Sequence, residues 1–175
     1  LVQATADPAT LISRAAELID RGRTGAARPL LAAARRMTTP SAEMTLLAAR
    51  LALREGAPAM ALDELDDALD ATPDHPALRL ARAELRHALG NLDGAARDAA
   101  EAVILDRTNA PAKALLGTVM LDLGRPAEAR ACLVEAIAQG VPGPAATEAL
   151  AAAQERCGDP DAALETLLGG IAAMP

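Results

Sequence analysis

Small and apolar residues recur along this chain with a period of 34 residues. Gly22, Gly56, Gly90, Gly124 and Gly158 hold one position of the period, and five residues after each stands an alanine: Ala27, Ala61, Ala95, Ala129 and Ala163. Four residues further come Leu31, Leu65, Ala99, Leu133 and Leu167, then, three beyond, Ala34, Ala68, Ala102, Ala136 and Gly170. Seven residues before each glycine lies another small residue: Ala15, Ala49, Ala83, Gly117 or Ala151. Self-similarity at a fixed period of this length marks a stack of supersecondary units rather than one irregular globule.

Each period reads as two helices. The glycine supplies the left-handed backbone that ends helix A. Two residues later Pro58, Pro126 and Pro160 stand at a first helical turn, where the missing N–H has no partner to lose, so helix B begins there. Asp7-Pro8 and Asp159-Pro160 read as an N-cap followed by the first helical residue, Pro73 falls where a helix B has ended, and His75 reads as turn filler. The small residues let helix axes approach, and the leucine series fills the space between them. In the third repeat Arg82 and Arg86 fall at positions that should face inward, so its helix A is expected to be rotated, with Leu78, Ala81, Leu85 and Leu89 as its seam.

The pattern resembles the tetratricopeptide repeat family, whose period of about 34 residues carries W-x₂-L-G-x₂-Y, then A-x₃-F, then P. Leu116-Gly117-x₂-Met120 followed by Ala129-x₃-Leu133 is the fullest match; Ala61-x₃-Leu65 with Pro73, and Leu150-Ala151 with Ala163-x₃-Leu167 and Pro175, add to it. The resemblance implies an all-α solenoid of about five antiparallel helix pairs in a right-handed superhelix, as one domain over 1–175 with repeats 8–41, 42–75, 76–109, 110–143 and 144–175. At the family's aromatic positions this chain has Leu11, Thr45, Arg79, Lys113 and Thr147, then Leu18, Ala52, Arg86, Met120 and Gln154. A buried aromatic is worth about 3–5 kcal/mol over alanine in a fixed backbone, so closer helix packing and strong helix propensity are expected to compensate.

Composition narrows the function. The chain has 175 residues, no Phe, Tyr or Trp, and a formal net charge of −7. That charge opposes a phosphate-binding surface, and the missing aromatics remove base-stacking platforms, so nucleic acid is not expected as a partner. No apolar stretch is long enough for a membrane span. Cys132 and Cys157 make neither a disulfide framework nor a zinc site, which points to a reducing compartment: cytoplasmic is the default, with a periplasmic location left open. Alanine richness and a single lysine, Lys113, suggest a GC-rich, bacterial source. Ser13 and Ser41, the only serines, lack a nucleophile elbow or a His-Asp set, and Gly90-Asn91-Leu92-Asp93-Gly94 is an inter-helix turn rather than a phosphate loop. No catalytic residue, metal or cofactor is expected.

The resemblance places partner binding on the concave face lined by helix A. Carried over residue by residue, that face comprises Ile12, Ile19, Leu46, Arg50, Leu53, Arg54, Leu80, Glu84, His87, Thr118, Leu121 and Asp122. Such a strip suits an extended or helical peptide. The alternative, that its bulky apolar members complete the core, stays open at this point. The clamp with which some members grip chaperone tails would fall at Ile12, Ala16, Leu47 and Ala81, and is missing. The acidic run Asp63, Glu64, Asp66, Asp67 and Asp70 reads as a solvated outer face of helix B. His87 could act as a pH-sensitive contact. Leu164, Leu167, Leu168 and Ile171 form an apolar stripe on the last helix B, which is expected to be covered by further repeats or by a second copy in a homodimer. The chain opens on Leu1 and stops at Pro175, where another repeat would begin, so it is expected to be part of a longer protein. Three readings follow: a protein–protein interaction scaffold, a recognition or spacer arm of a larger bacterial enzyme such as a methyltransferase or glycosyltransferase fusion, or a self-association module.

Overall fold

A computed structural model describes residues 7–141 and 144–172, so Leu1 and Pro175 lie outside the described residues. Ten helices follow in order: α1 (Pro8–Asp20), α2 (Thr24–Met37), α3 (Ala42–Arg54), α4 (Pro58–Ala71), α5 (Pro76–Ala88), α6 (Leu92–Leu105), α7 (Ala110–Asp122), α8 (Pro126–Ala138), α9 (Pro144–Arg156) and α10 (Pro160–Ala172). Among the described residues there is no strand. The odd-numbered helices are helix A of each repeat and the even-numbered ones helix B. The chain forms two compact units, residues 1–73 and 74–175.

The periodic glycines do what the spacing predicts. Gly22, Gly56, Gly90, Gly124 and Gly158 have φ between 71° and 84°. Immediately after them, the N–H groups of Arg23, Ala57, Asn91, Arg125 and Asp159 donate to the carbonyls of Leu18, Ala52, Arg86, Met120 and Gln154 at 2.8–3.0 Å. This is the six-to-one bond of a Schellman cap, repeated once per period, and it satisfies a helix-end carbonyl while reversing the chain. A sixth glycine outside the series, Gly140 (φ 83°), ends α8 in the same way. Several starts carry a side-chain cap, though α2, α4 and α8 do not. Asp7 accepts from the Thr10 N–H at 2.7 Å and Asp159 from that of Ala162 at 3.2 Å. His75 is more than turn filler: its Nδ1 accepts from the Leu78 N–H at 3.4 Å, making it the N-cap of α5.

In the first unit Ile12, Ala15 and Ile19 of α1, Ala27, Leu31 and Ala34 of α2, and Met44, Leu47 and Leu51 of α3 form one apolar cluster. In the second, Leu121, Ala129, Leu133, Ala146, Leu150 and Ala153 do the same for α7, α8 and α9. The small series is buried throughout: Ala15, Ala49, Ala83, Gly117 and Ala151. At Gly117 the approach is so close that a Cβ would lie 2.5 Å from Leu133 Cγ and 3.1 Å from the Ala129 carbonyl oxygen. The leucine series is buried at Leu31, Leu65 and Leu133, whereas Leu167 on α10 is exposed.

The third repeat corrects one expectation. Helix α5 is not rotated: Ala83 is fully buried in register with the other small residues, Leu78 and Leu85 are buried, Ala81 is half-buried, and Leu89 is exposed. The arginines do face inward, because α6 presents Asp98, whose side chain is only 3% exposed. Arg82 grips that carboxylate with two bonds of 2.9 and 2.7 Å, Arg86 donates at 2.7 Å, and Arg79 stands 3.7 Å away. The fourth and fifth repeats place polar pairs at comparable points. Lys113, buried on α7, donates to Glu135 of α8 at 2.8 Å, and Thr166 of α10 donates to Gln154 of α9 at 2.8 Å. Long polar side chains partnered across the hairpin thus stand where the family places aromatics.

Two stability experiments follow, both read by urea denaturation. Gly90→Ala is expected to destabilise by about 1–2 kcal/mol through backbone strain alone, since no atom lies within 4 Å of its would-be Cβ. Gly169→Ala, in an open position within α10 and without positive φ, is expected to gain up to about 1 kcal/mol. Equal effects at the two sites would remove the capping account. Asp98→Ala, which leaves the guanidinium groups of α5 without their buried carboxylate, is expected to lose about 3–5 kcal/mol.

Candidate functional site

Within each unit the first helices of successive repeats lie side by side, α1 against α3 in the first and α5 against α7 against α9 in the second. This neighbourhood follows from two reversals per repeat, the glycine-capped turn after helix A and the connection after helix B, which start the next helix A of the unit on the same side. The face they share carries the candidate binding residues, and the structure sorts these into three kinds.

Ile12, Ile19 and Leu121 are 7%, 0% and 7% exposed and pack inside the cores of their units. Leu46, Leu80 and Thr118 are half-buried, while Leu53, at 44% exposure, stands open to solvent. The Thr118 hydroxyl is turned onto its own helix, donating to the Ala114 carbonyl at 3.0 Å. Among the charged members, Arg50 of α3 pairs with Asp20 of α1, and His87 Nε2 of α5 meets Asp122 Oδ2 of α7 at 2.7 Å. Arg156 of α9 donates to the Leu121 carbonyl at 2.9 Å. These three links join consecutive helix A elements. A fourth, Arg28 with Glu55, joins α2 to the end of α3. Arg54 on α3 of the first unit and Glu84 on α5 of the second are exposed.

The carboxylate of Glu84 is desolvated. Desolvation among the packed helices raises its pKa above the ordinary glutamate value, although the residue as a whole is solvent-accessible. Glu135, by contrast, is held below its usual range by the hydrogen bond and charge of Lys113. Burial, then the charges of Glu135 and Glu128, push the half-buried Cys132 thiol up, so it is a poor nucleophile; Cys157 is exposed, and both are free thiols. Among the described residues no three His, Cys, Asp or Glu side chains gather to hold a metal ion, and no helix is long and apolar enough to cross a membrane.

Away from this face, the stripe on α10 stands open, with Leu164, Leu167, Leu168 and Ile171 between 39% and 67% exposed. The acidic run on α4 is mixed. Asp63, Asp67 and Asp70 are exposed, while Glu64 is half-buried and receives both Nη groups of Arg35 at 2.9 and 2.5 Å. Asp98, the most deeply buried carboxylate of the second unit, was not singled out by sequence reasoning. Its signal is available in retrospect: three arginines at 79, 82 and 86 share one face of α5, and one acid stands at the inward register of the next helix.

Stacked antiparallel helix pairs with partly apolar, charged first-helix faces define an all-α helical repeat protein of the interaction-scaffold class. The tetratricopeptide repeat family profile matches residues 13–76, 46–114 and 115–174, and the chain belongs to that family. No curated protein sequence matches it significantly. Among solved structures it is similar to Pseudomonas aeruginosa PilF, with a TM-score of 0.82 and 18% identity over 93% of this chain and 76% of that one. It is also similar to a thermophilic tetratricopeptide repeat protein of Thermus thermophilus, with a TM-score of 0.74 and 24% identity over 95% and 92% of the two chains. A third similar structure, MamA, has a TM-score of 0.76 and 15% identity over 94% of this chain and 90% of its own.

The raised pKa of Glu84 has a consequence for stability with a definite sign. Its folded state holds the proton more tightly than its unfolded state, so stability falls as pH rises from the unfolded value through the folded one. Glu84→Gln is therefore expected to raise the melting temperature at pH near 7 and to have no effect in acid, where both states are protonated; destabilisation at neutral pH would contradict the desolvation account.

Proposed function

We propose that this protein is an interaction scaffold that takes a peptide or protein segment on its helix-A faces. One observation carries the reading: Leu53 is left 44% exposed beside Arg54 and the half-buried Leu46, while Ile12 and Ile19 are buried and supply the packing. An apolar side chain held open on a rigid helix, edged by charge, is the element that helix- or strand-binding grooves use as an anchor. Buried members of the same rows hold the helices in place; exposed members remain for a ligand. Catalysis is not part of this reading: Ser13 lies within α1, Ser41 caps the start of α3, and His87 is engaged with Asp122.

The stripe on α10 supports a second reading, self-association through Leu164, Leu167, Leu168 and Ile171. Helix α10 carries Asp161 and Glu165 and no basic residue, so a symmetric pair would bring like charges together, and the reading ranks below the first.

The test selects peptides from a phage-displayed random library on the wild-type chain and measures them against Leu53→Asp. Stability is expected to change by no more than about 0.5 kcal/mol, as for a surface position, while affinity for the selected peptides drops at least tenfold. A library that yields no ligand, or ligands indifferent to both Leu53→Asp and Glu84→Lys, would refute the proposal.

A further inference from the structure

The first-helix face of the second unit has carboxylates without cations. Glu84 stands on α5, and Glu148 and Glu155 stand exposed on α9; among the described residues no hydrogen bond or ion pair reaches any of their three carboxylates. Between them α7 presents the small, half-buried residues Ala114 and Thr118, with Leu121 buried. The two basic groups on the face are already engaged. His87 is held against Asp122 at 2.7 Å, and the Arg156 guanidinium is folded onto the Leu121 carbonyl at 2.9 Å. The Thr118 hydroxyl is satisfied within its own helix.

We propose that this face selects a segment rich in lysine or arginine, with Glu84 on one edge and Glu148 and Glu155 on the other receiving its basic side chains across the small floor of α7. The inference rests on the partner-binding role proposed above and adds the chemistry of the partner. Charge complementarity carries it. An acidic segment meets uncompensated carboxylates on both edges, and a neutral one leaves them without counter-charge as it displaces their water. A basic segment supplies the cations that the face lacks. Desolvation raises the Glu84 pKa, and an arriving ammonium or guanidinium favours its charged form.

The net charge of −7 attracts any basic peptide weakly and without a site, so the experiment must separate a local effect from that background. Fluorescein-labelled alanine–leucine peptides bearing lysine, glutamate or glutamine at the same positions are titrated with the full chain and followed by fluorescence anisotropy at low and physiological ionic strength. The lysine peptide is expected to bind at least tenfold more tightly than the other two. The triple variant Glu84→Gln, Glu148→Gln, Glu155→Gln is expected to remove at least tenfold of that affinity. The control variant Asp67→Asn, Glu101→Gln, Glu165→Gln, which removes the same charge from exposed helix-B positions, should leave affinity within twofold; circular dichroism verifies that both triples keep their helicity. Equal loss in the two triples would overturn the inference, since net charge would then explain the binding. If the glutamate or glutamine peptide binds as tightly and is displaced by Thr118→Arg, the basic selectivity fails while the partner-binding role survives. If none of the three binds and the phage selection also fails, both readings fall.

Discussion

The fold depends on a backbone constraint that recurs five times: a glycine in the left-handed region closing helix A with a six-to-one bond. An L-residue can enter that region only at about 1–2 kcal/mol, so glycine sets where each helix ends and in which direction the chain leaves it. Proline at the first turn of the next helix fixes the return in α4, α8 and α10. Because the interval never changes, successive hairpins within each unit present the same faces to one another, and Ala15, Ala49, Ala83, Gly117 and Ala151 are all buried. Packing then locks what the turns have positioned.

Such a stack needs interior volume filled, and this chain fills it without aromatic rings. Alanine and glycine bring helices together, most tightly where Gly117 meets Leu133. Where small residues do not suffice, paired polar chains span the hairpin. The Asp98 cluster is the extreme case. Buried ion pairs contribute little net stability compared with apolar packing of the same volume, because desolvation offsets most of their attraction, but removal of one partner is severe. In the third repeat the closure of α6 against α5 is therefore sensitive to loss of the one acid, Asp98, that the inward arginines share.

What was readable in the sequence divides along the same line. Features fixed locally, such as the glycine caps and the Pro starts, were legible because their cause lies within a few residues. Asp98 was passed over and α5 was expected to rotate, since an inward arginine looks wrong until the facing acid is known, and facing is a property of space. His75 read as filler because a ring nitrogen is an unusual cap; the N–H of Leu78 three residues on reveals it. The face residues were legible as a set but not one by one. Ile19 and Leu53 hold the same position of their repeats, yet Ile19 is buried and Leu53 is 44% exposed. Period alone assigns both to one row; the neighbours on each side decide which is covered.

Stacking and recognition draw on the same rows of side chains in this architecture, and that limits which residues can serve a ligand. Arg50, His87, Asp122 and Arg156 already join one helix A to the next. A ligand that claimed Asp122 would have to break its bond to His87, so part of the binding energy would be lost in loosening the stack it binds to. Side chains outside those links carry no such penalty. In the first unit they include Leu53 and Arg54, and in the second Glu84, Glu148 and Glu155, so the two units offer surfaces of different character built from one repeat. Divergence at positions the fold leaves uncommitted is the means by which a repeat array acquires specificity while keeping its turns and its core.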